Sequence, residues 1–146
     1  MVISGLKGKT LFLDSAPLIY FIDGHSVYQS ILAELFKAND AGKVMFITST
    51  ITLLEVLVLP MRSGREDIAG QYQKLLTESN NIEIIELTKS VAITAARLRA
   101  KYNLKTPDSI QLATAIEYKT DFFLTNDLKL KNIERANVLT LQDLHH

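Results

Sequence analysis

The chain has 146 residues, 47% of them hydrophobic, with 16 Lys plus Arg balanced by 16 Asp plus Glu and no Cys. Such a length suits one domain, expected to span residues 1–146, and neither low-complexity sequence nor an internal repeat is present. Zero net charge excludes long-range attraction to nucleic acid or anionic membrane, and the lack of Cys excludes a disulfide framework, thiolate zinc and cysteine catalysis while suiting a reducing cytoplasm.

In chain order, Thr10 to Leu13 has the short, bulky make-up of a buried strand, and Pro17 suits the first turn of a following helix. Lys7 and Lys9 before this apolar run give it a faint resemblance to a signal peptide, but Asp14 falls inside the run, so secretion is not expected. Ser26 is expected to cap a helix reaching Ala41, and Val44 to Thr48 is a second strand. Ser49 or Thr50 should start the next helix, which Pro60 kinks or ends. The apolar stretch from Val44 to Met61 is interrupted by Glu55 and Pro60, so it reads as core rather than a membrane span.

Arg65 to Glu78 reads as a polar, exposed helix, and Ile82 to Leu87 as a third strand. Thr88 caps a helix to about Tyr102. Thr106 is expected to cap another, with Pro107 at its first position and Asp108 in its first turn. Phe122 to Thr125, a turn at Leu128 to Leu130 and a last strand at Val138 to Thr140 complete the set. Strands alternating with helices imply an α/β, doubly wound class: a parallel sheet covered on both faces. His145 and His146 are assigned no role.

Four carboxylates stand out because their neighbours are apolar. Asp14 follows the first strand, at the sheet edge where ligands bind in open α/β folds. Glu55 is the only charge from Val44 to Met61; its helix is apolar around the whole circumference and is therefore expected to be buried. Asp108 is the only charge between Thr106 and Ile116, and Asp127 follows the strand FFLT. A cluster of four cannot stay ionised unaided, since each pair at about 4 Å repels by roughly 4 kcal/mol at an effective dielectric of 20. Oxygen-only ligands favour Mg²⁺ or Mn²⁺ over zinc, and phosphoryl chemistry is the usual work of such a site.

The order of Asp14 in LDSAPLIYFI, Glu55 in STITLLEVLVLP, Asp108 in TPDSIQLATAIE and Asp127 in DFFLTND resembles the PIN-domain ribonucleases, in particular the small stand-alone type that includes VapC toxins. The resemblance covers essentially the whole chain. It implies a five-stranded parallel sheet in the order 3-2-1-4-5, with Asp14, Glu55, Asp108 and Asp127 as the acidic, metal-holding site. Thr125 and Asn126 match a frequent Thr-Asn-Asp signature, and Ser15 a position often holding a small polar side chain, which places these three around or at the rim of the site. It further implies an RNA substrate, cut to leave a 5′-phosphate and a 3′-hydroxyl.

The implied partners are RNA, a cognate antitoxin lying along the active-site groove and a second copy in a homodimer, with no membrane and a cytoplasmic location. Tyr20, Phe21 and Tyr28 are expected in the core, an interface being the alternative. Arg97, Arg99, Lys101, Lys105, Lys129, Lys131 and Arg135 are expected to form solvated faces, with an RNA-gripping rim as the alternative.

Competing readings fare worse. A haloacid-dehalogenase-type phosphatase needs a second Asp where Ala16 stands, and a response-regulator receiver needs an Asp that IEIIELTKS does not supply. A PIN-like module that binds RNA or protein without cutting, or a housekeeping nuclease without an antitoxin, are the remaining alternatives. The first of these is usually marked by loss of acidic residues that this chain retains.

Overall fold

A computed structural model describes residues 2–144, so His145 and His146 lie outside the described residues. The centre is β1 (Thr10–Leu13), flanked by β2 (Met45–Ser49) and β4 (Phe122–Thr125), with β3 (Ile82–Ile85) and β5 (Val138–Thr140) at the edges. The five strands run in the order β3-β2-β1-β4-β5, and every pairing is parallel. Leu11 lies opposite both Phe46 and Phe122, which ties the centre of the sheet together. The α/β class, strand order and helical flanks are those expected.

Successive strand residues face opposite sides. Leu11 and Leu13 pack into a core with residues of α1 (Ser15–Asp23), α2 (Gln29–Asp40), α3 (Thr50–Arg62) and α4 (Glu66–Glu78). Phe12 and Phe123, stacked with ring centroids 5.2 Å apart, face the other side and meet α5 (Lys89–Tyr102) and α6 (Thr106–Glu117). A short 3-10 helix, Leu128–Asn132, follows β4, and α7 (Leu141–Leu144) follows β5. No helix of the described residues is long and apolar enough to cross a membrane.

Several local expectations are corrected. Ser26 does not cap α2: Gly24, at φ 82°, ends α1, and the Nδ1 of His25 accepts from the amides of Val27 at 3.1 Å and Tyr28 at 3.2 Å. Pro60 does not end α3, which continues to Arg62; the lost amide donor falls near the end of the helix, and the Pro60 carbonyl accepts from the Arg65 amide at 2.8 Å. α4 is not merely polar and exposed. It buries Ala69, Tyr72 and Leu76, and burial together with Asp23 pushes the Tyr72 hydroxyl up to about 12. β3 stops at Ile85, leaving Leu87 exposed.

The largest correction concerns α3. Its apolar circumference does not bury it: Val56 is inside, whereas Leu54 (60% exposed), Leu59 (65%), Val58 and Met61 face outward. A helix apolar all round is covered on every side only if neighbours exist for every side, and here one side has none among the described residues.

Candidate active site

The carboxyl ends of β1 and β4 adjoin at the point where strand order reverses, the place where an open α/β sheet forms a crevice. Asp14 leaves β1 there and caps α1, its Oδ1 accepting from the Ser15 amide at 2.8 Å. Its Oδ2 accepts from the Thr125 hydroxyl at 2.7 Å, so the end of β4 holds the carboxylate that leaves β1. The Thr125 hydroxyl oxygen also accepts from the Asp127 amide at 3.1 Å, and Asp127 Oδ1 accepts from the Lys129 amide at 3.0 Å. Thr125 thus couples the two strand-end aspartates through one buried hydroxyl.

The helices supply the other two. Glu55, on α3, is exposed rather than buried as its sequence context implied, and its Oε1 accepts from the Ser15 hydroxyl at 2.7 Å. Asp108 lies in the first turn of α6, half-buried, where the helix dipole favours a negative charge. Thr106 is the first residue of that helix and does not cap it; Lys105 occupies the capping position without a side-chain bond. Asp14, Glu55, Asp108 and Asp127 together line one open cleft of ≈490 Å³, with Ser15, Thr125 and Asn126 among its walls.

The electrostatics reflect this convergence. Burial pushes the Asp14 carboxyl up from its ordinary value, against the bonds from Thr125, the Ser15 amide and Gln111, and the charge of Asp127 adds to the rise. Asp108 is also raised, first by burial and then by Asp14, Asp127 and Glu55, with Lys105 opposing. Among the described residues no ion pair reaches any of the four. Nor do three acidic or His side chains there already close on one point as a formed metal shell would. The donor chemistry fits a hard divalent cation nonetheless: every acidic group is a carboxylate, and none of the four is ion-paired among the described residues.

One contributor was not singled out from sequence. Gln111, one turn beyond Asp108 and almost wholly buried, accepts from the Ser49 hydroxyl, donates to that of Thr52 and reaches the Asp14 carboxylate. It joins α6 to the start of α3 beneath the cleft. The signal available was an amide amid the apolar and small residues of IQLATAI. Gln111→Leu strands the buried Ser49 and Thr52 hydroxyls, and a loss of about 1–3 kcal/mol is expected in urea unfolding. An unchanged unfolding midpoint would show that these hydroxyls have other partners.

The basic residues considered for an RNA-gripping rim are divided, and none of them lines the cleft. Lys131 pairs with Asp143 at 2.8 Å and Arg99 donates to the Leu104 carbonyl at 2.8 Å, so these two serve the fold. Arg97, Lys105, Lys129 and Arg135 are exposed.

The model of the PIN domain matches residues 11–136, most of the chain. No curated protein sequence matches it. Among solved structures, a chain of VapBC2 from Rickettsia felis bound to promoter DNA is similar with a TM-score of 0.72 at 18% identity, over 90% of this chain and 98% of that one. A toxin-antitoxin complex from Klebsiella pneumoniae is similar at 0.66 and 26% identity, over 90% and 97%. The Sarcin-Ricin loop cleaving toxin VapC20 of Mycobacterium tuberculosis is similar at 0.64 and 14% identity, over 77% and 86%. With a family match over residues 11–136 and the VapC-like arrangement of strands and helices, this chain belongs to the PIN-domain family.

Proposed function

We propose that this protein is a Mg²⁺- or Mn²⁺-dependent endoribonuclease and the toxin of a toxin-antitoxin pair. The observation that carries the catalytic reading is the set of Asp14, Glu55, Asp108 and Asp127 lining one cleft at the sheet's switch point, with no ion pair to any of them among the described residues. Carboxylates gathered in one cleft repel one another, and a bound cation would compensate them. The test is cleavage of an end-labelled, mixed-sequence RNA by the purified protein with Mg²⁺, with Mn²⁺ and with EDTA. Cutting in the presence of metal alone supports the reading; absence of both cutting and metal binding favours a non-catalytic module.

In this reading Asp14, Glu55, Asp108 and Asp127 hold the metal. A bound divalent ion supplies a water of lowered pKa and neutralises charge developing on a phosphodiester. The protein's own contribution is orientation. The Ser15 amide and Thr125 hydroxyl each bind one oxygen of Asp14, fixing the plane of its carboxylate. The Ser15 hydroxyl aims Glu55 from α3 into the cleft, and the Thr125 oxygen holds the backbone that presents Asp127. Such supporting bonds tune a metal site strongly, typically by about 10–100-fold in affinity or activity.

The antitoxin reading rests on the apolar side of α3. Leu54, Val58, Leu59 and Met61 are exposed, and Leu59 borders a groove of ≈220 Å³ that also includes Ile19, Val56, Ile68 and the carboxylates of Asp23 and Glu55. Because Glu55 lines both this groove and the acidic cleft, a bound segment placing apolar side chains on α3 and a cationic one beside Glu55 would lie at the catalytic entrance. The similar Klebsiella structure is a toxin-antitoxin complex. Co-expression with a cognate antitoxin should relieve growth inhibition, and Leu59→Asp should abolish that relief while leaving RNA cleavage unchanged. If Leu59→Asp instead converts a dimer into a monomer and leaves relief intact, the face belongs to a homodimer.

A further inference from the structure

Asn126, between Thr125 and Asp127 in the wall of the acidic cleft, donates its Nδ2 to the Tyr20 hydroxyl at 3.0 Å. Tyr20 opens a cluster of three rings. Its centroid lies 4.3 Å from that of His25 and 6.3 Å from that of Tyr28, the two tyrosine planes being within 10° of parallel. His25 and Tyr28 stack at 5.0 Å. An aromatic surface therefore begins at the cleft's rim and follows the end of α1 into the connection to α2.

Two features separate this cluster from ordinary core. First, Tyr20 and Tyr28 pack against the core yet, like His25, stay half-buried, whereas Phe12, Phe46, Tyr72 and Phe123 are closed off almost completely. Second, the imidazole is oriented by backbone: its Nδ1 accepts from the amides of Val27 and Tyr28, so the ring is held in place without any ion pair among the described residues. Partly exposed rings beside a site for phosphodiester chemistry are suited to the face of a nucleobase, and unpaired bases commonly stack on aromatic side chains. With zero net charge, stacking would add to whatever local contacts the exposed Lys105 and Lys129 make.

We propose that Tyr20, His25 and Tyr28 form a stacking subsite for an unpaired nucleobase next to the scissile phosphate, so that the substrate is RNA whose bases are splayed out at the cut. The proposal rests on the ribonuclease reading. Its consequence is tolerance of base identity at the stacked position.

The test uses the full chain and short RNAs with 2-aminopurine walked one position at a time across the cut site, in an Asp108→Asn background that preserves the RNA. Quenching confined to one or two adjacent positions is expected. In the active protein, Tyr20→Leu and His25→Leu should each raise KM about tenfold with kcat at saturating RNA nearly unchanged, while Tyr20→Phe, which keeps the ring and loses only the bond to Asn126, should retain the parent KM. Uniform or absent quenching, or an equal loss in Tyr20→Phe and Tyr20→Leu, overturns the stacking role. The quenching measurement needs no change to the rings, so it decides the matter even if a leucine variant fails to fold. An active parent with unaffected leucine variants removes the subsite alone, whereas a parent that neither cuts nor binds RNA with any metal removes the ribonuclease reading and the subsite with it.

Discussion

Asp14→Asn and Asp108→Asn should each lower metal-dependent RNA cleavage by more than about a hundredfold, because even removal of a group that merely supports a metal ligand costs about 10–100-fold. Thr125→Val belongs to that milder range: it removes the hydroxyl that binds Asp14 and receives the Asp127 amide, but leaves both carboxylates in place. The two aspartates differ in what else they do. Asp14 also caps α1 and accepts from Thr125, so its replacement disturbs local bonds, whereas Asp108 has a raised carboxyl pressed by three like charges. Asp108→Asn should therefore keep or raise the apparent Tm in EDTA while abolishing activity. Initial rates at saturating Mg²⁺ and thermal melts of the same preparations check both halves. Activity within a factor of three of the parent in Asp108→Asn would remove that residue from the catalytic set.

Divalent metal should raise the Tm at neutral pH by about 5–10 °C when present at a hundred times its Kd, since a native-state ligand at that excess contributes about 2.7 kcal/mol and each kcal/mol shifts a domain of this size by about 2–4 °C. The pH dependence has a definite sign. Asp14 and Asp108 have folded-state values raised above the ordinary 3.8, so just above pH 3.8 the native state binds more protons than the unfolded chain. The contribution of these two carboxyls to stability then falls as pH rises through that window in EDTA, and the loss persists at neutral pH. Metal should counter the fall by compensating the carboxylates once they ionise. Melting curves between pH 4 and 8, with EDTA and with Mg²⁺, in the parent and in Asp108→Asn, test this directly: the variant should show a shallower decline. A parent whose Tm in EDTA climbs steadily over that interval, with no response to Mg²⁺ or Mn²⁺, would contradict an uncompensated acidic cleft.

Much of the architecture was legible in the chain because buried parallel strands leave a local trace. Thr10–Leu13 and Phe122–Thr125 are short runs of bulky residues, and both strands occupy those residues. Asp14, Asp108 and Asp127 were visible for the complementary reason: an acidic group amid apolar sequence needs an explanation, and its position at a strand end or helix start predicts which edge of the sheet it meets. The strand order itself came through resemblance, since side-chain periodicity does not state which strands pair.

Capping was less legible. Ser26 and Thr106 have suitable side chains, yet His25 takes the amides before α2 and Thr106 becomes the first residue of α6, because the incoming path of the chain decides which atom faces the free amides. Glu55 shows the same limit at larger scale. An apolar circumference is compatible both with burial and with a face left for a partner, and the tertiary packing leaves Leu54 and Leu59 exposed with Glu55 beside them. Nor does one sequence position announce contacts across more than a hundred residues, such as Thr125 with Asp14 or Asn126 with Tyr20.

By itself, then, the sequence determined the class of fold, its principal elements and the acidic residues that stand out in apolar surroundings, all of which follow from local polarity and periodicity. The tertiary structure alone decided which of them share a cleft, that Ser15 and Thr125 orient the carboxylates, that Gln111 braces the site from beneath, and that three rings lie at its rim. Those are relations between distant segments, and their energies depend on distance and burial that only the packed chain defines.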